Sequence, residues 1–253
     1  MPLNHKVRSI RGLPQKDREF DELLSRAANP VRKETRSLTH EIQKQPAQDS
    51  SAEPPEENGF NSKAIIPFGL TTEHIYRAMT DFTDFMRFID IDLASQRIAR
   101  FEDLLTTSNF SSMVSEFMSV TIPKYCRTVA KNNYHNGHPD ILPAGIYPGN
   151  AVRDGGTQGI EIKASRYLKT WQGHSGEDSW LMMFVFQSGR LNPKVTQQVG
   201  FKFLIVAGGL LSKNDGPCAG ASGTGLTMIS QSITKLAAQK IMTNWIYKCK
   251  ELR

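Results

Sequence analysis

Seven apolar side chains stand in an unbroken row within Ser179-Trp180-Leu181-Met182-Met183-Phe184-Val185-Phe186-Gln187. Successive side chains of a strand point to opposite faces. A continuous apolar run of strand length is therefore apolar on both sides, and it is stable only inside a sheet with both faces covered. This run fixes a buried central strand, and the rest of the chain must supply its neighbours and its cover. Phe201 to Ala207 reads as a second apolar strand. Gly159-Ile160-Glu161-Ile162-Lys163-Ala164 reads as a third with a different pattern, because its apolar residues alternate with a carboxylate and an ammonium.

Helical periodicity lies on either side of these strands. Ile75, Ala78, Met79, Phe82, Phe85, Met86 and Ile89 recur at helical spacing behind a capping Thr71 or Thr72. Ile98, Phe101, Leu104 and Leu105 suggest a short second helix. Met113, Val114, Phe117, Met118 and Val120 suggest a third, entered through Asn109 or Ser111 and disturbed at Pro123. A last helix is expected from about Ser230 to Lys250, with Ala237, Ile241 and Trp245 on one face and Lys235, Lys240, Lys248 and Lys250 supplying charge. Helices, then three or four strands, then a helix predict an α/β domain with one mixed sheet, an α+β arrangement being the neighbouring possibility. Ser188 to Gly200 is punctuated by Pro and Gly and too short for a good helix. The strand after it is expected to return as a hairpin partner.

Residues 1 to about 60 have a different composition, with few aromatics and many Gln, Ser, Pro and charged residues. Such a segment buries too little apolar surface to offset its ordering entropy, and a tail is expected there. Residues 1–44 carry ten Lys/Arg against six Asp/Glu, and residues 45–60 none against four. A short helix over Asp17 to Ala28 can use Phe20, Leu23 and Leu24, and the basic part is suited to docking or to touching DNA. The folded domain then spans 61–253, with a helical subregion over 61–110 and a catalytic core over 111–253.

The 253-residue chain carries a formal charge of +6, which favours an acidic partner, nucleic acid first. Cys126, Cys218 and Cys249 are far apart and form no C-x-x-C pair, so neither a zinc knuckle nor a disulfide framework is expected. The N-terminus lacks an apolar signal core, and the longest apolar run, Phe203 to Leu211, is much shorter than the roughly 20 residues a bilayer needs. A cytoplasmic protein is expected, with no membrane partner. Gly216 to Gly225 lacks the G-K-[ST] ending of a phosphate-binding loop and reads as a flexible loop.

The chemistry gathers between His138 and Ser165. Glu161 and Lys163 project from one face of their strand while Ile160, Ile162 and Ala164 face the other. If Asp140 ends a neighbouring strand, a second carboxylate joins them. Twenty intervening residues, with turn signals at Tyr147-Pro148-Gly149-Asn150 and Asp154-Gly155-Gly156, suit two strands joined by a loop. Two carboxylates, a carbonyl and a phosphate oxygen suffice for Mg²⁺, which keeps several waters. A neighbouring lysine can then orient a water or stabilise developing charge. His135 and His138, three residues apart, invite an HNH reading in which one is base and the other binds metal, but two histidines so placed do not form that module.

His138-Pro139-Asp140 followed by Glu161-Ile162-Lys163 resembles the signature of the PD-(D/E)XK nuclease superfamily, which includes many type II restriction endonucleases. The resemblance spans about residues 111–210. It implies a restriction-endonuclease-like fold and a Mg²⁺-dependent DNA endonuclease, with Mn²⁺ able to substitute, serving restriction or defence against foreign DNA. It implies Asp140, Glu161 and the Ile162 carbonyl as metal ligands and Lys163 as the catalytic lysine. A helix preceding the motif offers Glu116 as a further acid, with Glu102 behind it. Gln172 or His174 is placed to touch a phosphate or the attacking water, and Arg153, Lys169 and the terminal lysines to face the DNA backbone. A homodimer or a larger nuclease assembly is the expected state. The chain departs from the superfamily in lacking a helix between the third and fourth strands. The alternative from another class is a non-catalytic DNA-binding or assembly subunit on the same fold.

Overall fold

A computed structural model describes residues 52–153, 158–166, 172–174, 179–189, 200–212, 230–232 and 235–253. The long helix α1 (Thr72–Ser95) opens at Thr71, whose N–H donates to His74 Nδ1 at 3.1 Å in a capping box. It buries Ile75, Ala78, Met79, Phe82 and Met86 along one stripe, as their spacing predicts. The second helix, α2 (Phe101–Leu104), is a single turn. Helix α3 (Thr107–Tyr125) starts earlier than the apolar residues suggest. The Thr106 hydroxyl accepts the Asn109 N–H at 3.3 Å and caps it. Phe110, Val114, Met118 and Ile122, four apart, form its buried ridge, and the helix ends two residues past Pro123.

Six strands make one mixed sheet in the order β1 (Val129–Lys131), β2 (Ile141–Pro143), β3 (Ile160–Ser165), β5 (Ser179–Gln187), β6 (Lys202–Leu211) and β8 (Trp245–Lys248). β5 is central, parallel to β3 on one side and antiparallel to β6 on the other. The hairpin return after Gln187 is therefore as expected. A separate antiparallel ribbon pairs β4 (Gln172–His174) with β7 (Ser230–Ser232).

The two faces of β5 have different cover. Met182, Phe184 and Phe186 join Ile160 and Ile162 in a core shared with α1 and α3, and Phe82, Phe201 and Phe203 pack within it. The Phe82 and Phe201 centroids lie 4.9 Å apart, and Phe201 meets Phe203 edge to face at the same distance. Such pairs each add about 0.5–1.5 kcal/mol beyond their buried area. Leu181, Met183 and Val185 face the other way, against Ala237 and Ile241 of α4 (Lys235–Thr243). Glu161 and Lys163 are in register with Leu181 and Met183. They stand on the α4 side of the sheet, with Ile160 and Ile162 on the α1–α3 side, as the alternation requires.

Two expectations change. The last helix is short, and Trp245 lies in a strand, not on a helical face. The break is at Asn244, whose side chain donates to the Ile65 and Gly208 carbonyls at 2.8 and 2.7 Å and accepts the Ile65 N–H at 2.9 Å. Beyond it, Trp-Ile-Tyr is a strong strand former with an open edge of β6 to join. The folded unit also takes in residues 52–60, which composition assigns to the tail. Ala52 is buried, the Glu53 N–H donates to the Phe201 carbonyl at 2.8 Å, and Phe60 bridges to Tyr247 with ring centroids 4.9 Å apart. Composition averaged over a Pro- and Glu-rich stretch hides two well-placed apolar residues. Among the described residues no helix is long and apolar enough to cross a membrane.

Candidate metal centre

β2 lies between β1 and β3 and pairs with β3 antiparallel through Ile141 and Ile160. Asp140 thus opens the neighbouring strand instead of ending it, and still arrives beside Glu161. Its carboxylate accepts the Ile162 N–H at 2.7 Å, and its backbone carbonyl accepts the Asn132 N–H at 2.8 Å. The N–H and C=O of one extended residue face the same strand edge. The Ile162 carbonyl is therefore turned toward the edge where Asp140 stands.

The close approach depends on Gly159. A Cβ there would sit 2.2 Å from Pro139 Cγ and 2.7 Å from the Ile141 carbonyl oxygen. Only glycine lets the Pro-Asp segment lie this near the start of β3. The His138–Pro139 peptide bond is cis.

Asn132 holds the same segment from behind. It is 5% exposed, its Nδ2 donates to the Pro139 and Val152 carbonyls at 2.9 and 2.8 Å, and its Oδ1 accepts the Tyr134 and Val152 N–H groups at 3.0 and 3.1 Å. One buried amide thereby ties the β1–β2 loop to the segment after the 3₁₀ turn Pro148–Asn150. A lone Asn gives no warning of this in the sequence.

Four side chains converge at the result, His138, Asp140, Glu161 and Lys163. His138 Nδ1 lies 3.3 Å from Glu161 Oε2, and Lys163 Nζ lies 2.7 Å from Glu161 Oε1. His138, Asp140 and Glu161 each offer a ligand atom, all within 4.8 Å of one another. The donor set is one imidazole and two carboxylates, which fits a divalent cation completed by water. Sequence reasoning missed His138 as a member. Its signal was adjacency to Pro139-Asp140, which places it on the same segment.

The electrostatics fit a cation as well. Burial, followed by the nearby Glu161 charge, pushes the Asp140 carboxyl up to about 7, against the opposing pull of the Ile162 N–H, Lys163 and His138. The hydrogen bond to Glu161 raises His138 above the usual imidazole range. Two carboxylates this close ionise together only at a cost, and a divalent ion relieves it.

The other candidates separate. Glu116 is exposed on α3, 3.5 Å from Lys131 Nζ, and shares with Asp140 the wall of a cleft of about 490 Å³. Glu102 is buried against Arg100, whose Nη2 also donates to the Gly189 carbonyl beyond the far end of β5. Leu181, beside Glu161, is six strand residues from Gln187, about 20 Å at the usual rise. Glu102 therefore lies at the other end of the sheet and is no ligand, and burial pushes it up to about 7. The Arg153 carbonyl accepts the His138 N–H at 2.9 Å, which sets exposed Arg153 next to the cluster. Gln172 and His174 belong to the β4–β7 ribbon. Lys169, the turn at Asp154-Gly155-Gly156, the loop Gly216–Gly225, Cys218 and the Asp17–Ala28 segment lie outside the described residues. Cys126 and Cys249 are buried free thiols.

Compared with protein-family models, with curated proteins and with solved structures, the chain matches none.

Proposed function

We propose that the chain is a divalent-metal-dependent DNA endonuclease with a restriction-endonuclease-like core, acting in the cytoplasm in restriction of foreign DNA. The observation that carries this reading is the convergence of Asp140 and Glu161, from paired strands, on one cluster with His138 and Lys163. The central mixed sheet with helices on both faces agrees with it.

Asp140, Glu161 and the Ile162 carbonyl would hold Mg²⁺, and the imidazole of His138 makes the set suit Mn²⁺ equally. When bound, the cation would supply charge neutralisation at the scissile phosphate and lower the pKa of a water there. Lys163, anchored on Glu161, would orient the attacking water and stabilise charge developing on the phosphate. Arg153 meets the DNA backbone beside the cluster.

The test is plasmid cleavage in Mg²⁺ or Mn²⁺ by the wild type, Asp140→Asn and Lys163→Ala, with Mn²⁺ binding measured in parallel. Each substitution is expected to cost about 100-fold or more in cleavage, and Asp140→Asn to weaken Mn²⁺ binding. Equal cutting by all three proteins removes the assignment. DNA binding without cutting of any substrate makes the chain a binding or assembly subunit.

A further inference from the structure

The cleft of about 490 Å³ is lined by Asp140, by Glu116 of α3, and by Lys131, Tyr134, His135 and Asn136 of β1 and the β1–β2 loop. Its volume lies in the range of small-ligand sites. Its wall is pinned in place. Besides the four bonds of the Asn132 side chain, the Gly137 N–H donates to the Tyr134 carbonyl at 3.0 Å, closing a turn with Asn136 in the left-handed region at φ 55°. The Asn133 N–H donates to the Asn150 carbonyl at 2.8 Å and its side-chain Nδ2 to the Gly149 carbonyl at 2.8 Å. At Gly137 a Cβ would meet the Val152 carbonyl oxygen at 2.3 Å. These bonds fix a short loop that holds an aromatic ring, an imidazole and an amide out toward solvent, with Tyr134 44% exposed. Packing alone gives no reason to hold such groups rigid on a surface.

We propose that this cleft is a nucleotide subsite that receives an unpaired base flanking the scissile phosphate. The inference rests on the nuclease reading and names the substrate form: single-stranded or frayed DNA. Tyr134 offers a face for base stacking, which tolerates any base. Asn136 and His135 offer donors and acceptors to base edges, while Lys131, 3.5 Å from Glu116, balances that carboxylate in the wall. Asp140 belongs both to the cleft wall and to the metal cluster, so a nucleotide seated in the cleft borders the cluster through that carboxylate. A base still stacked and paired inside a duplex cannot present its face to Tyr134.

The experiment uses the full chain in Ca²⁺ with a 2-aminopurine-labelled single-stranded oligonucleotide and its duplex, followed by cleavage of both in Mn²⁺. Wild type is expected to bind the single strand more tightly, with stacking-dependent quenching. Tyr134→Ala is expected to lose about tenfold in affinity together with the quenching. Asn136→Gly, which suits the left-handed backbone while deleting the amide, is expected to weaken binding and keep the wild-type melting temperature. Unchanged single-strand binding by Tyr134→Ala, or preference for intact duplex, overturns the subsite even where Asp140-dependent cutting is seen. Absence of both cutting and binding by the wild type removes the nuclease reading and the subsite with it.

Discussion

Replacing Gly159 with alanine tests whether the sheet and the metal cluster are one construction. The added methyl would stand 2.2 Å from Pro139 Cγ, 3.2 Å from Pro139 Cβ and 2.7 Å from the Ile141 carbonyl. Carbon atoms rest about 3.5–4.0 Å apart, so the Pro-Asp segment must retreat by more than 1 Å. β2 is joined to β3 through a single residue pair and yields first. The Asp140–Ile162 bond, 2.7 Å long, then lengthens past useful range. Overpacking costs about 1–3 kcal/mol, and a hydrogen bond to a charged group contributes about 1.5–3 kcal/mol. A loss of about 2.5–6 kcal/mol is the expected sum, lowering the melting temperature by about 5–24 °C in a domain of this size. Mn²⁺ affinity, read by titration calorimetry on the folded variant, should fall about 10- to 100-fold. Gly209→Ala is the control, because its Cβ meets nothing nearer than Ile241 at 3.7 Å. Wild-type stability and metal affinity in Gly159→Ala would mean that the sheet and the metal cluster are built independently.

Further outcomes follow from the same geometry. Folding raises the Asp140 pKa from 3.8 to about 7, so the folded protein binds more protons than the unfolded chain between those values. The contribution of Asp140 to stability without metal should therefore fall as pH rises from about 4 to 7. For the same reason Mn²⁺ binding should release protons and tighten with pH up to about 7, with His138 carrying the rise somewhat further. Affinity that stays flat between pH 5.5 and 7.5 in calorimetry would contradict this. Asn132→Ala strands two carbonyls and two N–H groups, and urea unfolding should show a loss of about 2–4 kcal/mol. A loss below about 1 kcal/mol would mean that water replaces the amide freely.

Long-period patterns were legible in the sequence, and single contacts were not. The apolar run at Trp180–Phe186 placed the central strand, and the alternation at Ile160–Lys163 placed Glu161 and Lys163 together, because burial on defined faces leaves a periodic trace. The stripe of α1 was equally plain. Trp245–Lys248 was misread because charged and apolar residues over four positions suit either period, and Asn244 decides the matter through contacts with Ile65 and Gly208. Asp140 depended on a pairing that only the packing of Pro139 on Gly159 enforces. His138 and Asn132 act through geometry around a loop, where no periodicity exists to reveal them.

The segment from Glu53 to Asn61 touches Phe201, Ile246 and Tyr247, and the guanidinium of Arg253 reaches Glu56 and the Asn58 carbonyl across 197 and 195 residues of chain. Closures of this length are slow, since loop entropy is lost before the contacts form. During synthesis the earliest folded-unit residues must wait for the latest. The apolar strands β5 and β6 are meanwhile made without their final edge, β8. The interval before that edge arrives is when a nascent chain is most exposed to aggregation, and a holding chaperone would act there.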